Sequence, residues 1–367
     1  RCPMSRVELP DFIRDVFDDV ARRNVLIACS LAVFAVGLVP HLLSPGLPSA
    51  QEAIRQRPEI QNLFLLLAFT STATILIGGL VSDIYRHRSL MVGGLGVMTL
   101  GSALSIVVDD GTVFYVSNFA AVAAAGVVLA YGIGSVAIAY SGIPRATALG
   151  FVYAAFGVGA AASPVILTLR PVTMPSTDPA VPPGFTFDTT LAYALAAIAS
   201  AVALWAAYRF VPKIPGNLPA SPKVVAGVTT WSLSILAVVS GILGFIGPGD
   251  DRLPLILAVG GALGLLVMTL LLRRAGDALG PLLLDRKAVS AALAVGITIG
   301  FAQAVPLMLL PVVFEFPLHY GMIFAILALI PFGLALVLAG PISGILLRRF
   351  GPRGIMSSGT LALGLAN

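Results

Sequence analysis

Residues 79–88 read Gly79-Leu80-Val81-Ser82-Asp83-Ile84-Tyr85-Arg86-His87-Arg88, and residues 344–353 read Gly344-Ile345-Leu346-Leu347-Arg348-Arg349-Phe350-Gly351-Pro352-Arg353. Each stretch opens on a glycine at the end of a long apolar run and closes on a cluster of cations. A carboxylate at a helix end, Asp83 in the first copy, can accept hydrogen bonds from the first amides of a neighbouring helix, while the arginines pair with carboxylates or lipid phosphates. Such a cluster latches two helices in one conformation and releases them in another. The candidate latch residues are Gly79, Asp83, Arg86 and Arg88, with Gly344, Arg349, Gly351 and Arg353 in the second copy.

Outward from these loops the chain is a series of apolar runs. Of its 367 residues 58% are apolar and 11% charged, against about 45–50% and about 25% in a soluble protein. A bilayer core about 30 Å thick needs roughly 20 apolar residues per helix. Ten runs meet that length, at 25–43, 61–82, 90–108, 113–140, 147–169, 188–209, 224–246, 253–272, 288–313 and 320–344. An eleventh begins near Gly354 and reaches Asn367 after 14 residues, about 21 Å of helix, so the chain is expected to end inside a span. The opening Arg1-Cys2-Pro3 precedes Met4, a candidate natural start, and no signal peptide is read there.

Orientation follows from the cations in the short loops. With the N-terminus inside, 18 of the 22 Lys and Arg fall on the cytoplasmic side and only Arg55, Arg57, Arg170 and Arg252 outside. The net charge of +5 is therefore a topology signal, not a nucleic-acid footprint. Residues 11–23 place Phe12, Ile13, Val16, Phe17 and Val20 on one helical face, which predicts an amphipathic helix on the membrane or against the bundle. Residues 44–60 form an outer loop with a short helical stretch, and residues 170–187, with five prolines, are expected to be irregular.

The two quoted loops resemble the G-x-x-x-D-R-x-G-R-R loop of the major facilitator superfamily. In the first copy Ile84 and Arg86 depart from the pattern, and in the second Arg348 stands in place of the Asp. The resemblance implies an all-α multi-pass membrane protein with the major facilitator fold. The copies follow spans 2 and 10, eight spans apart rather than six, so spans 7 and 8 are read as an insertion. That spacing resembles the fourteen-helix drug:proton antiporter branch, truncated here in the eleventh helix. The implied domains are a cytoplasmic tail with its amphipathic helix (1–24), a complete N-terminal six-helix bundle (25–210), a linker with two inserted helices (211–274) and the start of a C-terminal bundle (275–367). Gly280-Pro281-Leu282-Leu283-Leu284-Asp285-Arg286 resembles that branch too.

Span 5 carries Gly150, Gly159, Ser163 and Pro164 at the spacing of the family's antiporter signature, G-x8-G-x3-G-P-x2-G-G, with Ser163 and Leu167-Thr168 replacing its last glycines. Small residues permit close helix approach and the proline removes a backbone bond, which predicts a kinked, tightly packed seam. None of the 17 acidic residues lies in mid-span, although proton relays ordinarily use such groups. The Asp usual in span 1 of the fourteen-helix relatives and the Arg usual in span 4 are both absent. His41 and Glu315, near the outer ends of spans 1 and 9, are the candidate proton carriers. Asn118, Tyr131 and Gln303 are the candidate substrate-cavity residues, with Tyr140 and Trp231 as further polar positions.

These residues point to an alternating-access secondary transporter that exports a hydrophobic or neutral small molecule, with proton antiport as the candidate coupling. The alternative is a non-transporting homologue acting as a membrane scaffold or sensor. An enzyme is not expected, because His41, His87 and His319 show no partner spacing. A channel is unsupported, since no span carries a ring-forming polar motif. No metal or cofactor is implied. The expected partners are the small-molecule substrate, the bilayer and protons, without nucleic acid, in a monomer of a multi-pass cell membrane protein, on its composition a prokaryotic inner-membrane one.

Overall fold

The structure, a computed structural model, describes residues 20–43, 87–107, 111–169, 171–174, 184–187, 190–213, 252–275 and 330–366, with isolated positions such as Val16, Asp19, Gly78 and Ser234. Its helices are α1 Val20–Leu43, α2 His87–Val107, α3 Gly111–Ala139, α4 Gly142–Thr168, α5 Thr190–Phe210, α6 Arg252–Ala275 and α7 Ile330–Ala366. Five of them, α1 to α5, are long and apolar enough to cross a membrane, and α6 and α7 contain shorter apolar stretches. Spans 2, 7 and 9 fall largely outside the described residues.

Helix starts are set by local chemistry more than by the onset of hydropathy. Asp19 caps α1: its Oδ1 accepts from the amide of Ala21 at 2.9 Å, and its Oδ2 pairs with Arg22 Nε at 3.3 Å. The last residues of the amphipathic stretch therefore belong to α1 itself. Val16, one turn earlier, is buried, and its carbonyl accepts from the Tyr140 hydroxyl at 3.1 Å. That bond pins the chain ahead of α1 to the turn between α3 and α4.

The outer loop at 170–187 is not irregular throughout. Pro171–Met174 (β1) and Gly184–Phe187 (β2) form an antiparallel pair in the register Pro171↔Phe187 to Met174↔Gly184. The prolines do not prevent it: Pro171 occupies the first position of its strand and the other four lie between the strands, leaving Val-Thr-Met and Phe-Thr-Phe to pair. α7 is likewise two helices joined at Gly351, whose φ of 69° and ψ of 170° break the helix between the tenth and eleventh runs.

On α5 the packing puts small residues inside, Tyr193 excepted, and large ones outside. On α5 the buried face is Ala192, Tyr193, Ala196, Ser200, Ala203, Ala206 and Ala207, while Leu195, Ile198, Val202, Trp205 and Tyr208 stand exposed. In water this arrangement would waste the large side chains; in lipid, where apolar side chains gain nothing by leaving the tails, close backbone approach is what holds helices together. α1 is central, touching α3, α4 and α5, and α2 packs between α3 and α5. α4 lies between α1 and α7, and its contact with α7 is the most extensive among the described elements.

Candidate functional site

α4 presents glycines to two neighbours. Gly150 and Gly159 are nine residues apart, which at 100° per residue puts them half a turn apart on opposite sides of the helix. The antiporter-type spacing therefore serves two seams instead of one. Gly159 faces α1: a Cβ there would meet the Phe34 carbonyl oxygen and come within 3.1 Å of Gly37 Cα. A Cβ on Gly37 would lie 2.5 Å from the Phe156 oxygen. Gly150 faces α7, where a Cβ on it would land on the Gly340 carbonyl oxygen, and one on Gly340 would land on the Gly150 oxygen.

The α4–α7 seam is continuous. A Cβ on Gly157 would lie 2.8 Å from the Gly333 oxygen, one on Gly344 2.9 Å from Thr147 Cα, and one on Gly333 2.6 Å from Ala161 Cβ. Later α7 residues meet earlier α4 residues, so the helices run antiparallel. The close approaches extend from Thr147 to Ala161, about 21 Å of helix. Seven residues separate Gly150 from Gly157 and Gly333 from Gly340, the interval that keeps one face toward one partner. Gly157 was legible in sequence only as general packing, and Gly333, Gly340 and Gly37 were not singled out. Their signal was this matched seven-residue interval in two distant spans.

Ser163 and Pro164 lie two and three residues past the last close approach, at Ala161, and the fully buried Ser163 hydroxyl has no hydrogen-bond partner among the described residues. Thr147, at the opposite end, also buries an unpartnered hydroxyl. Gly344, read as the lead of the second latch loop, sits inside the seam. Gly351 supplies the helix break after it, and the backbone carries Arg349 and Arg353 on either side of that break. Arg88 stands in the first turn of α2 with its guanidinium carbon 4.6 Å from the ring centroid of Tyr208 on α5. Gly79, Asp83 and Arg86 lie outside the described residues.

Of the candidate cavity residues the structure describes Asn118 and Tyr131, both on α3. Asn118 is buried in a polar knot near the start of α3, its amide nitrogen donating to Ser105 Oγ at 3.1 Å and to the Phe114 carbonyl at 2.9 Å. Ser105 and Ser117 hydroxyls lie 3.2 Å apart in the same knot, and Phe114 packs edge-on against Tyr193 of α5 at 5.7 Å. Tyr131 is fully buried on α3, more than three turns further along. His41 lies in the last turn of α1, and Gln303 and Glu315 lie outside the described residues. Among the described residues no group of three His, Cys, Asp or Glu could hold a metal ion.

α4, wedged between α1 and α7 with bare backbone on both sides, ties α7 to α1. The solved structure of a peptide transporter, POT, in complex with sulfate is similar in fold, with a TM-score of 0.56 at 14% identity over 89% of this chain and 69% of that one. The human organic anion transporter MFSD10 (TETRAN) aligns over 94% of this chain and 98% of its own at 15% identity with a TM-score of 0.44. A bacterial homologue of the human drug peptide transporters PepT1 and PepT2 aligns over 92% and 86% at 17% identity and 0.45. No curated protein sequence matches the chain. The sequence profile described as Major Facilitator Superfamily matches residues 25–367, and the chain, a helical protein with membrane-spanning helices, belongs to that superfamily of transporters.

Proposed function

We propose that the protein is an alternating-access secondary transporter of the drug:proton antiporter type, with its N-terminus cytoplasmic, exporting a hydrophobic or neutral small molecule across the cell membrane. The α4–α7 seam carries this reading. It is about 21 Å of antiparallel helix contact, made of backbone and small side chains between the first-half bundle and the second half. Among the residues of its close approaches no side chain bonds across it, so the two halves can part without orphaning a polar group. In this reading the seam is closed in one state and open in the other, and Gly79, Asp83, Arg86, Arg88, Arg349 and Arg353 latch the adjoining loops.

The charge-free spans favour an uncharged solute: α1 to α5 contain no Asp or Glu, and a fixed charge is what an ionic solute would require at the site. Gln303 and Tyr131 are the cavity residues of the proposal, Asn118 being engaged in the polar knot, and His41 and Glu315 are its proton carriers. The test is efflux of the neutral fluorophore Nile red from energised cells and from proteoliposomes bearing a proton-sensitive dye. Flux with dye quenching supports proton antiport, and flux without it assigns another driving force. Absence of flux for a panel of neutral lipophilic solutes would sink the transporter reading in favour of the scaffold.

A further inference from the structure

We infer that the edge formed by α2 and α5 is a binding site for an anionic phospholipid, held by Arg88, Arg209, Tyr208 and Trp205. α2 and α5 pack with their ends reversed, so the first turn of α2 meets the last turn of α5. There the Arg88 guanidinium stacks over the Tyr208 ring at 4.6 Å. Arg209, the residue after Tyr208 in the last turn of α5, and Lys213, three residues past the end of that helix, are both exposed. Trp205 and Tyr208 keep 62% and 61% of their surface exposed, which for two large aromatics decides that they face outward. Trp205 is held edge-on against Phe210, with centroids 5.8 Å apart.

Three cations and two exposed aromatics at one end of a membrane helix pair fit a headgroup. The described residues of α2 and α5 contain no Asp or Glu to neutralise the arginines internally. Amphipathic rings settle at the level of the headgroups, and a guanidinium stacked on a ring still presents its edge N–H groups to phosphate oxygens. Below this cluster the exposed face of α5 continues as Val202, Ile198 and Leu195. From Tyr208 to Ile198 is ten residues, about 15 Å of helix and half the bilayer core. Headgroup cluster and acyl track together therefore match one leaflet's lipid. The charge complementarity selects an anionic over a zwitterionic one.

Lipid binding at this site can be read without flux. The chain has two tryptophans, so Trp231→Phe leaves Trp205 as sole reporter. In vesicles, brominated phosphatidylglycerol should quench Trp205 at least twofold more than brominated phosphatidylcholine at equal mole fraction. Arg88→Gln with Arg209→Gln should bring that ratio to unity while the protein stays monodisperse. Arg209→Gln alone, which leaves the ring stack intact, should lower the ratio part of the way. Arg145→Gln, a loss of an exposed cation on α4, should leave it unchanged. Equal quenching by the two lipids in the parent, selectivity that survives the double change, or equal loss with Arg145→Gln, which would mean diffuse surface charge, each overturns the proposal.

Discussion

The α4–α7 seam and the α2–α3–α5 knot hold helices together by opposite means. In the seam, glycine backbones approach until a single Cβ would collide with a carbonyl, and the close approaches are made by backbone and small side chains. In the knot, the Asn118 amide donates to Ser105 Oγ at 3.1 Å and to the Phe114 carbonyl at 2.9 Å, and the Ser105 and Ser117 hydroxyls lie 3.2 Å apart, all among buried and half-buried groups. Inside a bilayer an orphaned polar group has no water to turn to, so a polar knot resists opening, whereas a dispersion-only contact loses only its packing. A contact that must open and close in each transport cycle is better built from backbone and small residues. One that keeps a bundle rigid can be built from amides and hydroxyls.

The largest test of that contrast is Gly340→Leu. Its side chain has no space, since even a Cβ lands on the Gly150 oxygen, and neither backbone can yield without moving a helix. Overpacking of this kind costs about 3 kcal/mol at the upper end. We expect a lowered melting temperature in detergent and a loss of Nile red efflux by more than tenfold. If efflux persists at the parental rate in protein that remains folded, the seam does not need to close, and the transport role assigned to it fails.

The knot is expected to respond differently. Asn118→Ala removes donors to Ser105 and to the Phe114 carbonyl, and bonds between membrane helices are worth about 1 kcal/mol. The melting temperature should fall modestly while the apparent KM for solute changes by less than twofold. A raised KM at unchanged stability would reverse the assignment, moving Asn118 from the helix packing to the cavity.

What could be read beforehand divides along the same line. The spans were legible because a bilayer demands apolar length, and α2 to α6 begin and end within a few residues of the runs that predicted them. Gly150 and Gly159 were legible as small residues in a signature, but which neighbour each one meets was not. That depends on partner helices distant in the chain, Gly340 lying 190 residues after Gly150 and Gly37 lying 122 before Gly159, and on the half-turn between the two glycines. Gly333 and Gly340 were passed over because a glycine in an apolar run carries no local mark of its function; only the interval shared with Gly150 and Gly157 does. Asn118 reads in sequence as a candidate cavity residue, because its bonds to Ser105 and Phe114 depend on tertiary geometry. The β1–β2 pair was missed because five prolines were counted together, when only their positions relative to the strands mattered.

A smaller effect tests the attachment ahead of α1. Tyr140→Phe deletes the hydroxyl that donates to the Val16 carbonyl and leaves the ring in place. A net loss of about 0.6 kcal/mol, the low end for one such bond, converts to about threefold more local opening. Trypsin cleavage at Arg22 or Arg23 should quicken by that factor, with no change in melting temperature. Cleavage at the parental rate would mean that burial of Val16 alone holds the segment.

The smallest effect carries the opposite sign. Thr147 buries its hydroxyl without a partner at the end of the seam, against Gly344. Thr147→Val keeps the branched shape and replaces the orphaned oxygen by a methyl group, removing a desolvation penalty of about 1 kcal/mol or less. The variant should melt at the same temperature or slightly higher, where Asn118→Ala melts lower. This opposition is the sharpest form of the comparison: in the seam a polar atom is a liability that packing tolerates, and in the knot it is what does the holding. If Thr147→Val were destabilising by as much as Asn118→Ala, the seam would contain a polar bond made in another conformation. Its hydroxyl would then belong to the open state rather than to the closed one described above.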